Sequence, residues 1–144
     1  MKKIAAILCG ALIATSAVCS ATIPTNAIGI GRVTPGMTTS NLTSIYGQPT
    51  YRDGDEWSFR DFEVEIERGK VHEIETRSNA LATPAGVRVG QDARVLTRAY
   101  GNADRMEVEG NEEEYEFYSH DYSRKIEFKV RNGIITKIIC ESQE

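Results

Sequence analysis

The sequence predicts an α+β fold of two tandem repeats, each a short helical segment followed by a three-stranded antiparallel meander, with sheets and helices packed as one compact body. Three observations predict it. First, Gly36, Leu42, Tyr46 and Gly47 return as Gly90, Leu96, Tyr100 and Gly101, at a constant offset of 54 residues. Second, each copy carries an apolar face at helical spacing, set between a turn and a glycine stop. Third, each such face is followed by runs in which apolar and charged residues alternate with the period of a strand.

The first residues stand outside the repeats. Met1-Lys2-Lys3 is a basic start, and Ile4 to Val18 is an apolar stretch of small and aliphatic residues. It falls short of the ~20 apolar residues that a membrane-spanning helix needs. The pattern predicts a secretory signal peptide over 1–21, cut after Ala21, with Ser20 and Ala27 as other suitable positions. A second reading is a lipoprotein acylated at Cys19, although Val18 stands where a lipobox has a small residue. The expectation is export from a bacterial cell, periplasmic or secreted, with an outer-membrane lipoprotein as the alternative and no membrane span in the mature chain. The rest divides into repeat 1 over 28–76, a linker over 77–84 rich in Ser, Asn, Ala, Thr and Pro, and repeat 2 over 85–140.

Charge and cysteine content exclude several classes. Loss of Lys2 and Lys3 with the leader takes 17 basic residues to 15, against 21 acidic ones, a net charge of −6. Nucleic acid needs clustered Lys and Arg, so it is not expected as a partner. Cys9 and Cys19 lie in the leader and Cys140 stands alone, so no internal disulfide is expected and stability falls to a packed core. Cys140, between Ile139 and Glu141, reads as a buried small hydrophobe, with pairing to another chain as the alternative.

In order along the first copy, Pro35-Gly36-Met37 is a turn and Thr38 or Thr39 an N-cap. Leu42, Ile45 and Tyr46 make one apolar helical face, Gly47 ends it, and Pro49 blocks continuation. Trp57 and Phe59 alternate with Glu56, Ser58 and Arg60. Phe62, Val64 and Ile66 alternate with Glu63, Glu65 and Glu67, and Arg68-Gly69-Lys70 turns the chain into Val71–Thr76. The second copy reads Gly90, Asp92 as cap, Val95, Leu96, Ala99 and Tyr100 as helical face, and Gly101 as stop. Tyr115 and Phe117 begin the strands. Ile126, Phe128 and Val130 continue them, and Asn132-Gly133 is a hairpin turn leading to Ile135 and Ile138. The extra residues of this copy are assigned to an acidic loop, Glu107–Glu114, and a loop over Ser119–Ser123.

A Gly-Met-Thr turn, an amphipathic helix closed by Tyr46-Gly47-Gln48-Pro49, an aromatic strand and a hairpin with Gly before its last strand resemble the SmpA/OmlA (BamE-like) domain. They also resemble each half of the β-lactamase inhibitory protein family, which is a tandem of such units. The second copy departs at Gln91-Asp92 and Asn102-Ala103. The resemblance implies proteins that bind other proteins, in envelope assembly or enzyme inhibition, without a cofactor. It rests on turn, cap, core and stop positions, which are structural.

Candidate catalytic and metal sites do not assemble. His72 and His120 fall in different repeats, and Ser119-His120-Asp121 lacks a nucleophile elbow. Asp53-Gly54-Asp55-Glu56 lacks the spacing of a calcium loop and reads as a hairpin turn. No catalytic, cofactor-binding or metal residue is assigned, and no cofactor is expected. The outer alternates are more informative. They are Glu63, Glu65 and Glu67 in the first copy, but Lys125, Glu127, Lys129 and Arg131 in the second. Surface charge against aggregation explains this in part. A polarised face that orients a charged protein partner is the functional reading, with Tyr118 and Tyr122 as aromatic anchors. The expected function is an exported, non-catalytic protein-binding module whose partner the sequence does not identify. An envelope assembly factor is the alternative, and a small hydrolase is disfavoured.

Overall fold

The structure, a computed structural model, describes residues 23–143. The predicted leader, its cut after Ala21 and the acylation alternative at Cys19 lie outside the described residues. From there the chain makes a 3-10 turn (Thr25–Ala27), helix α1 (Thr39–Tyr46), and strands β1 (Tyr51–Asp53), β2 (Glu56–Ser58), β3 (Glu63–Glu67) and β4 (Lys70–Thr76). Helix α2 (Arg94–Tyr100) follows, then β5 (Arg105–Glu109), β6 (Glu112–Tyr118), β7 (Arg124–Arg131) and β8 (Ile134–Ser142). All eight strands join one antiparallel sheet in the order β1-β2-β3-β4-β8-β7-β6-β5.

This corrects the expected fold class of two helix-plus-three-stranded repeats. The protein is mostly one eight-stranded sheet with two short helices. One cause is a fourth strand in each half. Gly54 (φ 57°) turns β1 into β2, and Gly110 (φ 62°) turns β5 into β6. The stretch assigned to an acidic loop, Glu107–Glu114, is therefore a hairpin. Both added strands are exposed along their whole length, so they carry no apolar-in, polar-out contrast for a sequence to show. The other cause is the pairing of β4 with β8, Glu73 with Glu141 through Thr76 with Ile138, which removes any boundary between two sheets.

Local chemistry places the elements. Thr38 Oγ1 accepts the Asn41 amide at 3.2 Å and caps α1. Gly47 (φ 78°) closes it with its amide on the Thr43 carbonyl. The expected cap of α2 is displaced: α2 begins at Arg94 with Ala93 at the N-cap, and Asp92 instead holds the Arg94 amide and guanidinium. That pairing lowers the Asp92 carboxyl to about 2. Gly36 and Gly90 (φ 88° and 92°) each donate to the hairpin strand beside them, at the Val71 and Ile135 carbonyls. Asn132 and Gly133, both at positive φ, form the β7–β8 turn, and Arg68 and Gly69 do the same between β3 and β4.

The core lies between one face of the sheet and the helices with their flanking segments. Phe62, Val64, Ile66, Ile126, Phe128 and Val130 are buried against Leu42, Leu96, Ile28, Ile30, Val33 and Val87. Tyr100 is buried with its hydroxyl on Thr83 Oγ1 at 2.7 Å, and desolvation pushes that phenol up to about 12. Cys140 is buried and free, and burial raises its thiol. Ile23 is buried as well, and its carbonyl accepts the His120 amide.

Candidate protein-binding face

The face of the sheet turned away from the helices is built from the polar alternates of the strands that supply the core. Register aligns them in rows across the sheet. One row runs Glu56, Glu65, Glu73, Glu141, Lys125, Tyr118. The next runs Ser58, Glu63, Glu75, Ile139, Glu127, Glu116, Arg105. Glu67 lies further along β3, exposed beside Arg68 and His72.

The halves of these rows differ in charge. On the β6–β8 side, Lys125 Nζ stands 3.6 Å from Glu116, 3.5 Å from Glu127 and 3.5 Å from Glu141. Lys129 meets Glu114 at 3.2 Å and Glu127 at 3.8 Å, and Arg131 meets Glu112 at 3.1 Å. Burial works against the Lys125 charge, but Glu116, Glu141 and Glu127 hold its ammonium above the ordinary value. On the β2–β4 side, Glu56, Glu63, Glu65 and Glu73 have no cationic group within 4.0 Å among the described residues. Glu75 does, with Lys137 at 2.6 Å and Arg77 at 3.3 Å, and so does Glu67, with Arg68 at 3.8 Å. Burial, then repulsion from Glu141, Glu65 and Glu75, raises the Glu73 carboxyl. A depression of about 150 Å³ is lined here by Glu56, Glu63, Glu65, Glu73 and Glu75 together with Trp57, Ser58 and Val64.

The residues singled out from sequence fall as follows. Glu63, Glu65 and Glu67 are exposed on the acidic half. Lys125, Lys129 and Arg131 share the face but are answered by glutamates of their own half, so they present no basic counter-pole. Tyr118 and Tyr122 come together at the far corner, ring centroids 6.0 Å apart, with Tyr122 68% exposed. Burial, with Glu116 nearby, raises the Tyr118 phenol. Sequence reasoning missed Glu56, Glu73, Glu75 and Glu141 as members of the ladder. The alternation that found Glu63 and Glu65 also marks Glu73 and Glu75, but only register shows which carboxylates stand opposite.

Two other clusters resolve without chemistry. Carboxylate oxygens of Glu114, Glu116 and Glu127 lie within 4.8 Å of one another, and Lys125 and Lys129 supply the cations among them. Asp121 accepts from Ser119 Oγ at 2.6 Å, Ser123 Oγ at 2.8 Å and Thr25 Oγ1 at 2.9 Å, bonds that hold its carboxyl far below the usual range. His120 takes no part through its side chain among these bonds. The tripeptide locks a turn and ties down the segment after Ile23.

Among the described residues no helix is long and apolar enough to cross a membrane. No family model matches the chain, and no curated protein matches its sequence. The fold is similar to that of a DUF4309-family protein (YjgB) from Bacillus subtilis, at 12% identity and a TM-score of 0.54, over 74% of this chain and 78% of the other. It is also similar to an extracellular SCP-domain protein from Bacillus anthracis, at 11% identity and 0.51, over 99% of this chain but half of the other. A Streptococcus mutans protein proposed to be a β-lactamase inhibitor is similar over 83% of this chain and 93% of its own, at 13% identity and 0.32. The first two likenesses extend to the fold alone, and the third is too distant to carry even that.

Proposed function

We propose that the protein is an exported, non-catalytic protein-binding module whose open sheet face docks a partner through a cationic surface. The observation that supports this is the carboxylate ladder. Glu56, Glu65, Glu73 and Glu141 stand directly opposite one another on the neighbouring strands β2, β3, β4 and β8, with Glu63 opposite Glu75 beside them. Lys125 meets Glu141 and Lys137 meets Glu75, so Glu56, Glu63, Glu65 and Glu73 are the unanswered members. Like charges so placed destabilise a sheet. Folding has no use for them, since uncharged β-formers would serve the strands better. The neighbouring half answers its own charges, so the lattice itself does not require exposed repulsion. Lysine or arginine from a partner would relieve it on binding, and complementarity of this kind sets specificity and association rate.

The test replaces Glu63, Glu65 and Glu67 together with lysine. The expected result is loss of partner capture from native envelope or secreted fractions, with a melting curve that is not lowered. Capture that continues unchanged would sink the reading. Export is tested separately by mass spectrometry of the mature N-terminus, where a free Thr22 supports cleavage after Ala21 and an acylated Cys19 supports the lipoprotein.

A further inference from the structure

We propose that β5 is a self-complementary edge through which two copies of this chain join by antiparallel β5–β5 pairing, continuing the sheet across a two-fold axis. This interface is separate from the acidic face. Among the described residues β5 pairs with β6 alone and forms one margin of the sheet. All five of its residues are exposed, with Met106 at 51% and Val108 at 65%.

Besides charged side chains, which both margins carry, natural edges are blunted by proline, a bulge, an inward-pointing charge or extreme shortness. The opposite margin shows two of these. β1 has three residues, and Arg52 lies on the core-side face with its guanidinium 3.8 Å from the centre of the Trp57 ring. β5 shows none of them. Its register with β6 is unbroken from Arg105–Glu116 to Glu109–Glu112, it holds no proline, and its core-side residues are Met106 and Val108.

The order of residues then selects the occupant. Antiparallel pairing centred on Glu107 sets Arg105 of each copy opposite Glu109 of the other, and Met106 opposite Val108. Opposite charges meet on the open face and apolar side chains meet on the core side. Glu107 falls opposite itself, but Arg105 of its own strand already contacts it, and the other copy's Arg105 is brought close. A slip by one residue would set Met106 and Val108 against charged residues and turn the two core faces to opposite sides. A contact of this type is isologous and closes as a dimer.

Sedimentation equilibrium of the wild-type chain should show a monomer–dimer equilibrium. Arg105→Glu and Glu109→Arg should each raise the dimer dissociation constant by roughly tenfold or more. The double variant should restore it, because the exchanged charges meet again across the axis. With Cys9 and Cys19 replaced by serine, Glu107→Cys should form an intermolecular disulfide on mild oxidation, while Glu109→Cys should not, and buried Cys140 stays out of the reaction. Far-ultraviolet circular dichroism checks that each variant keeps its strands. A monomeric mass up to ~1 mM chain, as expected if β5 awaits a different protein, would overturn the proposal. So would a dimer indifferent to both single reversals, or a double variant no tighter than the singles.

Discussion

Across β6–β8 the outward lysines stand among glutamates, Lys125 between Glu116, Glu127 and Glu141 and Lys129 beside Glu114. Across β2–β4 carboxylate faces carboxylate, Glu56 to Glu65 to Glu73. The two halves use the same alternation, and each buries its inner residues, Phe62, Val64 and Ile66 in one and Ile126, Phe128 and Val130 in the other. What differs is only what answers each outward charge. Alternation fixes where charges stand and leaves open whether the chain neutralises them. In one half the charges hold strands together, and in the other they are left available to something else.

The largest effect is expected from breaking the neutral half. Lys125→Ala leaves Glu116 and Glu127, whose side chains are 6% and 11% exposed, with only the more distant Arg105 at 4.0 Å and Lys129 at 3.8 Å. Stability should fall by about 2–4 kcal/mol in urea denaturation, as when one partner of a partly buried pair is removed. A smaller effect of opposite sign should follow in the acidic half. Glu65→Lys places a cation between Glu56 and Glu73 and should raise stability by about 0.5–1 kcal/mol in the same assay.

The smallest effect concerns pH. The Glu73 carboxyl is raised by burial and by its acidic neighbours, so the folded state holds this proton more tightly than the unfolded chain does. Its favourable contribution is complete below the ordinary carboxylate value and is lost as pH rises through the folded-state value. Going from neutral pH to about pH 5 should therefore favour the wild type relative to Glu73→Gln, which at neutral pH should be the more stable by a few tenths of a kcal/mol. Thermal melts at the two pH values give the comparison.

Much of the local structure was legible because it depends on neighbours in sequence. The alternation over Phe62–Ile66 and Ile126–Val130 announced the buried face, Thr38 or Thr39 announced a cap that Thr38 supplies, and Asn132-Gly133 announced a hairpin. The global arrangement was not legible. β1 and β5 lie at the margins, where no contrast of burial marks a strand, and six glutamates over Glu107–Glu116 read as solvated loop. The β4–β8 joint depends on residues more than sixty positions apart, which no local period records. For the face, single residues such as Glu63 and Lys125 could be picked out. Their partners could not, because opposition across strands is a property of register.

The position of β8 has a consequence for the order in which the fold can form. It is the last of the eight strands to be made, yet it lies in the middle of the sheet, between β4 and β7. Until Ile134–Ser142 has emerged, β3–β4 and β6–β7 hairpins can form but cannot be joined. The joint then closes a long loop, a slow step governed by distance along the chain. The sheet of a nascent chain therefore stays open at its middle until Ile134–Ser142 has been synthesised.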